Sequence, residues 1–145
     1  MFNLLGSHDT ARILTASNND KSLAKLQFMM LFSMPGSPCI YYGDEIGMAG
    51  ENDPGCRACM EWEPSKQDRE MLDFMKRLIQ LRTKHEAFGS RGELQFIASQ
   101  SDDILLYSKK NIIRRSCCLL LTVRRRRGRL LYLQHLNETS SLKKK

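Results

Sequence analysis

The chain has 145 residues, 41% of them hydrophobic and 8% aromatic. That is enough for one domain with a core, and short of the roughly 250 residues of a complete eightfold βα barrel. No apolar run reaches the roughly 18 residues that span a membrane, and the opening Met1–Thr10 lacks the marks of a secretory leader. Five cysteines are too few, and odd in number, for a disulfide scaffold, so a reducing, cytoplasmic setting is expected.

The net charge of +7 is unevenly placed. Residues 1–111 carry 13 Lys and Arg against 15 Asp and Glu, whereas residues 112–145 carry ten against Glu138 alone. The basic excess lies wholly in the last segment, and the two parts are read separately.

Met1–Leu5 is a short apolar run that breaks into Gly6-Ser7-His8-Asp9-Thr10. This suits a buried parallel strand whose C-terminal end opens into a functional loop. Asn18-Asn19-Asp20 offers helix N-caps, and Leu23, Leu26 and Met30 follow at helical spacing. Residues 28–32 are apolar nearly all round, so a buried helix is expected over Lys21–Met34, stopped by Pro35-Gly36. Cys39–Tyr42 reads as a second strand. Residues 44–64, rich in glycine, proline and acidic side chains, read as a long loop of the kind that carries function. Ser65-Lys66-Gln67-Asp68 has capping-box spacing. Met71, Leu72, Met75, Leu78 and Ile79 then form the stripe of a helix running to about Lys84.

Strand, helix, strand, loop, helix is an α/β order, with the two strands parallel and side by side. From Gly89 the pattern changes. Leu94 and Phe96 alternate with Glu93 and Gln95, and Ile104–Tyr107 follows, giving two strands joined by Ser99–Asp103. The expected segments are 1–88, 89–111 and a basic tail, 112–145. In the tail, Cys117–Val123 and Leu130–Leu136 are apolar runs able to pair, separated by Arg124–Arg127 and Arg129.

Four groups of residues bear on chemistry. His8-Asp9 stands just past a strand, where functional residues of parallel sheets gather. Taken alone, an adjacent His–Asp is more often a turn cap. Asp53 and Arg57 lie four apart in the long loop, so one can accept and the other donate hydrogen bonds to a polyhydroxylated ligand. Their bland alternative is a surface ion pair. Cys56-Arg57-Ala58-Cys59 has CxxC spacing, but no second ligand pair accompanies it, so no metal or cofactor is expected. The arginine run suits phosphate contacts but lacks interleaved aromatics and any nucleic-acid motif, which makes a nucleic-acid-binding protein the least favoured reading.

Longer words carry a family resemblance. Residues Phe2-Asn3-Leu4-Leu5-Gly6-Ser7-His8-Asp9-Thr10 form the first. Pro35-Gly36-Ser37-Pro38-Cys39-Ile40-Tyr41-Tyr42-Gly43-Asp44-Glu45-Ile46-Gly47-Met48 form the second. Asp53-Pro54-Gly55-Cys56-Arg57, followed by Met60 and Trp62, form the third, and Leu78-Ile79-Gln80-Leu81-Arg82 closes a helix. In this order and at these intervals they resemble the C-terminal part of an α-amylase family glycoside hydrolase, of the neopullulanase, cyclomaltodextrinase and maltogenic amylase group.

The resemblance implies that the two strands are the seventh and eighth of a (β/α)8 barrel and that a C-terminal β-sandwich begins near Gly89. It implies that Asp9 is the transition-state-stabilising carboxylate and that His8, Asp53 and Arg57 bind sugar. The substrate would be a maltodextrin, cyclodextrin or pullulan-type glucan, cleaved at α-1,4 bonds with retention. Retention needs a nucleophile and a separate acid/base carboxylate, which the family supplies from strands four and five. The chain is therefore expected to be a fragment inactive alone, partnered by the missing N-terminal part of the enzyme. A non-catalytic glucan-binding or complementing subunit is the alternative. The resemblance fades after about Asn111, where the swing to a basic composition suggests out-of-frame sequence.

Overall fold

The computed structural model describes residues 1–88, 92–97, 104–111 and 115–122. The chain divides into two compact units, Met1–Arg82 and a second that starts at Thr83.

In the first unit, strand β1 (Phe2–Leu4) pairs in parallel with β2 (Ser37–Cys39), Phe2 opposite Ser37 and Leu4 opposite Cys39. The two are joined through helix α2 (Lys21–Ser33), as an α/β reading requires. β2 begins two residues before the apolar run Cys39–Tyr42. Its ladder is set by the three residues of β1, so it ends at Cys39, and Tyr41 and Tyr42 are left for the loop. A four-residue helix, α1 (Ile13–Ala16), precedes α2. It is too short to show a period in sequence.

Asp20 caps α2 as its composition suggests, accepting from the N–H groups of Ser22 and Leu23 at 2.8 and 3.2 Å. The other end of α2 is closed from a distance. Arg82, on helix α3 (Arg69–Lys84), donates to the carbonyls of Phe32, Met34 and Gly36. These include carbonyls that a helix terminus leaves without partners. Gly36 has φ +100°, and a Cβ there would stand 2.9 Å from Met1 O, so only glycine makes this turn into β2.

α3 ends where the stripe predicts but starts differently. Ser65 lies inside a 3-10 turn, Pro64–Lys66, and its hydroxyl bonds Glu63 at 2.6 Å. Gln67 is extended, so the helix begins at Arg69 and Asp68 takes the capping role, accepting from Met71 N–H at 3.0 Å. Asp68 also pairs with Lys21 Nζ at 2.6 Å, which fixes the start of α3 to the start of α2.

The core lies between the three helices: Ile13 and Leu14 from α1, Ala24, Phe28, Leu31 and Phe32 from α2, and Met71, Met75 and Leu78 from α3. Each large member stabilises the fold by roughly 1.5–3 kcal/mol on burial. The buried stripes are narrower than expected. Met30 and Ile79 are exposed, because the core face of α2 runs through Ala24, Phe28 and Leu31, and that of α3 through Met71, Met75 and Leu78.

In the second unit a 3-10 turn (Glu86–Phe88) leads to an antiparallel meander of β3 (Gly92–Ile97), β4 (Ile104–Asn111) and β5 (Arg115–Thr122). Phe96 stands opposite Tyr107, their ring centroids 6.1 Å apart. β5 pairs with β4 over eight positions, Ile104 opposite Thr122 to Asn111 opposite Arg115. The sheet thus continues into the segment that composition set apart as a basic tail. The joining residues Ser99–Asp103, the run Leu130–Leu136 and the arginines at 114, 124–127 and 129 lie outside the described residues. Among the described residues no helix is long and apolar enough to cross a membrane.

Replacing Arg82 by alanine is expected to cost about 2–4 kcal/mol, because three carbonyls lose a charged donor. Arg82→Lys should recover only part, since an ammonium lacks the planar fork. Urea denaturation of the three proteins checks this; a loss under about 1 kcal/mol would show the helix end closed by other means.

Candidate functional site

Parallel strands send the loops that follow them to the same edge of the sheet. The loop after β1 carries His8 and Asp9; the loop after β2 carries Asp53 and Arg57. The structure brings all four together. Arg57 Nε lies 2.6 Å from Asp53 Oδ1, and its Nη2 lies 3.6 Å from Asp9 Oδ1. His8 Nε2 lies 3.2 Å from the same Asp9 oxygen. All four side chains are about half exposed or more, so the cluster is open to a solute. The hydrogen bond that Arg57 donates to Asp53, helped by the charges of Asp53 and Asp9, pushes the pKa of its guanidinium above the ordinary value.

Each loop is held in shape locally. Asp9 N–H donates to Ser7 Oγ and Ser7 N–H to Thr10 Oγ1, both at 3.1 Å, which turns the chain sharply after β1. In the other loop a 3-10 turn, Gly55–Arg57, sets Cys56 inward and Arg57 outward. The loops are also sewn to each other. Ala11 N–H donates to Asn52 Oδ1 at 3.0 Å, Arg12 N–H to Gly50 O at 2.9 Å, and Gly50 N–H to Thr15 Oγ1 at 2.8 Å.

Cys56 is fully buried, and its thiol points to His8 O at 3.1 Å, while Cys59 is exposed. Both are free thiols. Of the two, Cys56 sits at the junction of the two loops. Among the described residues no group of three or more metal-ligating side chains gathers.

One buried charge escaped the sequence reading. Arg12 is 0% exposed. Its guanidinium lies over the rings of Tyr41 and Tyr42, 4.9 and 4.7 Å from their centroids. Nη1 donates to Tyr42 O at 2.5 Å and stands 3.5 Å from Asp44 Oδ1. Nothing near Arg12 in sequence separates it from a surface arginine. The available signal is the Tyr41-Tyr42 pair, whose ring faces attract a cation. Asp44 is itself buried, and burial raises its pKa to about 6 against the lowering effect of Arg12.

Comparison with known proteins gives this geometry its context. Residues 1–67 match the family model for the α-amylase catalytic domain. The chain is 52% identical over 101 residues to a cyclomaltodextrinase of Geobacillus thermopakistaniensis, covering 70% of this chain and 17% of that protein. It is 50% identical over 109 residues to an intracellular maltogenic amylase of Bacillus subtilis, covering 74% and 18%. Over this region the chain belongs to the α-amylase family, on its neopullulanase-like branch. A solved cyclomaltodextrinase superposes on 84% of the chain and 21% of its own length, with a TM-score of 0.78 and 40% identity. The chain spans less than a fifth of the length of these curated relatives.

The buried Asp44 gives a test by pH. Its folded pKa of about 6 lies above the unfolded value of 3.8, so its contribution to stability is fully present below about pH 4 and is lost as pH rises through 6. Asp44→Asn removes this term. The variant is expected to match the parent at pH 4 and to exceed it by roughly 3 kcal/mol at pH 8. Denaturant titrations at the two pH values decide; a variant weaker than the parent at pH 8 would mean that the ion pair with Arg12 outweighs the burial.

Proposed function

We propose that the chain is part of an α-glucan hydrolase of the cyclomaltodextrinase and maltogenic amylase type, and that His8, Asp9, Asp53 and Arg57 hold its sugar. The observation that carries this reading is the single guanidinium joined to carboxylates from two loops, in a chain half-identical to enzymes of those names. A sugar hydroxyl donates and accepts at once, so an alternating row of carboxylate, guanidinium and imidazole suits it. Asp9 is proposed as the carboxylate that stabilises an oxocarbenium-like transition state, with His8, Asp53 and Arg57 binding glucose units. β1 and β2 are proposed as the seventh and eighth strands of a (β/α)8 barrel, and the meander from Gly92 as the start of a β-sandwich. A cytoplasmic location agrees with the name of the Bacillus subtilis relative.

Binding and cleavage separate here. Asp9 and Asp53 both face one arginine, an arrangement that holds charge and position. Retaining hydrolysis asks instead for a nucleophile and a proton-donating carboxyl about 5–5.5 Å apart on either side of the bond. The cluster is therefore proposed to bind glucan without cutting it, and no cofactor or metal enters the proposal. A second reading, that the chain completes a separate polypeptide, is favoured by one observation. Met1, Phe2 and Leu4 are exposed and, with Met30, Leu31 and Met34, line an apolar groove of about 530 Å³. Each of β1 and β2 has a single partner among the described residues, so an edge is free to pair.

Calorimetric titration with β-cyclodextrin and maltoheptaose is the test. Weak binding is expected, with Asp9→Asn and Arg57→Ala each lowering affinity about tenfold, or 1.4 kcal/mol. No reducing sugar should appear. Absence of binding to both glucans would remove the proposal. Reducing sugar that disappears in Asp9→Ala would show that the cluster cleaves.

A further inference from the structure

We infer that Arg12 is a positioning residue for the His8–Asp9/Asp53–Arg57 cluster, its buried guanidinium seating the two tyrosines whose hydroxyls bracket Arg57. The inference deepens the proposed glucan site and rests on that reading for its consequence on binding, though not for its structural part.

Contacts run from Arg12 to the cluster without a gap. The guanidinium stacks on Tyr41 and Tyr42 and bonds the backbone of Tyr42. Tyr41 OH donates to Cys56 O at 3.3 Å, and Tyr42 OH donates to Ala58 O at 2.7 Å. Cys56 and Ala58 are the neighbours of Arg57 on either side. The same loop is pressed against Arg12 directly: a Cβ at Gly50 would stand 3.1 Å from Arg12 Cδ and 2.6 Å from Gly55 O. Loop and arginine therefore fit only with glycine at this point.

The hydrogen-bond inventory of Arg12 argues against a role in stability. Nε and Nη2 are buried and have no hydrogen-bond partner among the described residues, and the ion pair with Asp44 is long at 3.5 Å. A buried cation so incompletely satisfied costs free energy that an apolar side chain of similar length would not. What the guanidinium supplies is a flat, charged face able to fix two aromatic rings at once. That is a geometric service to the loop.

The test replaces Arg12 with methionine together with Asp44→Asn, so that no buried charge is left alone. The readout is the alkylation rate of Cys56, resolved by mass spectrometry, with exposed Cys39 as internal reference. With the loop seated, Cys56 is buried against His8 O. The double variant is expected to keep a thermal midpoint no lower than the parent, while Cys56 reacts about tenfold faster, Cys39 is unchanged and β-cyclodextrin affinity falls about tenfold. Asp44→Asn alone should leave Cys56 protected. Gly50→Ala, which keeps the charge but crowds Gly55 O, Cys56 Cα and the stem of Arg12, should expose Cys56 as the double variant does. A folded double variant with Cys56 still protected overturns the inference. Loss of its cooperative melt overturns it too, by making Arg12 a stabilising core group. If the parent chain binds no β-cyclodextrin, the glucan reading fails while the Cys56 rates still decide the role of Arg12.

Discussion

Parallel pairing of β1 with β2 is the constraint on which the first unit depends. Two parallel strands cannot be joined by a hairpin; the chain must cross over and return. α2 is that crossover, and its apolar face supplies the largest share of the core. Because the strands point the same way, the segments after them leave at one edge. Residues more than forty apart in sequence, Asp9 and Arg57 among them, meet there.

A shared edge brings two loops near each other but does not fix their shapes. That task falls to groups beneath the cluster. Asn52, through its side-chain oxygen, and Gly50, through its carbonyl, accept from the backbone N–H groups of Ala11 and Arg12 and tie one loop to the other. Tyr41 and Tyr42, displaced from the strand, turn their hydroxyls to the carbonyls on either side of Arg57. Residues that leave a regular element early are thereby used twice, as ring faces for a buried cation and as donors to a loop.

The sequence was informative where one local rule acts alone. Asp20 before an apolar helical run is a cap in the structure, and the helix expected to run to about Lys84 ends there. It was misleading where two rules compete. Ser65 and Asp68 both suit a helix start, and the choice went to Asp68 because Pro64 closes a tight turn and Lys21 waits for a carboxylate. Cys39–Tyr42 is a fair strand by composition, but its register belongs to β1. Cys117–Val123 is legible as an apolar run able to pair, but its composition does not name the partner: β5 takes β4, over Ile104–Asn111, as its neighbour. His8, Asp9, Asp53 and Arg57 were each weak as single signals and stood out only as parts of longer words. Arg12 gave no local signal at all, since burial of an arginine is decided by residues thirty positions away.

Arg82 carries a kinetic implication. Its guanidinium holds the end of α2 and the turn into β2 from 46 to 50 residues away along the chain. The entry to β2 is therefore completed only when α3 has already docked, although α2 and β2 are adjacent in sequence. A local βα junction has been made to wait for a long loop to close. Closing such a loop is slow compared with forming a helix turn. The turn that feeds the parallel pair is thus completed by a side chain of the third helix, not by its own neighbours in sequence.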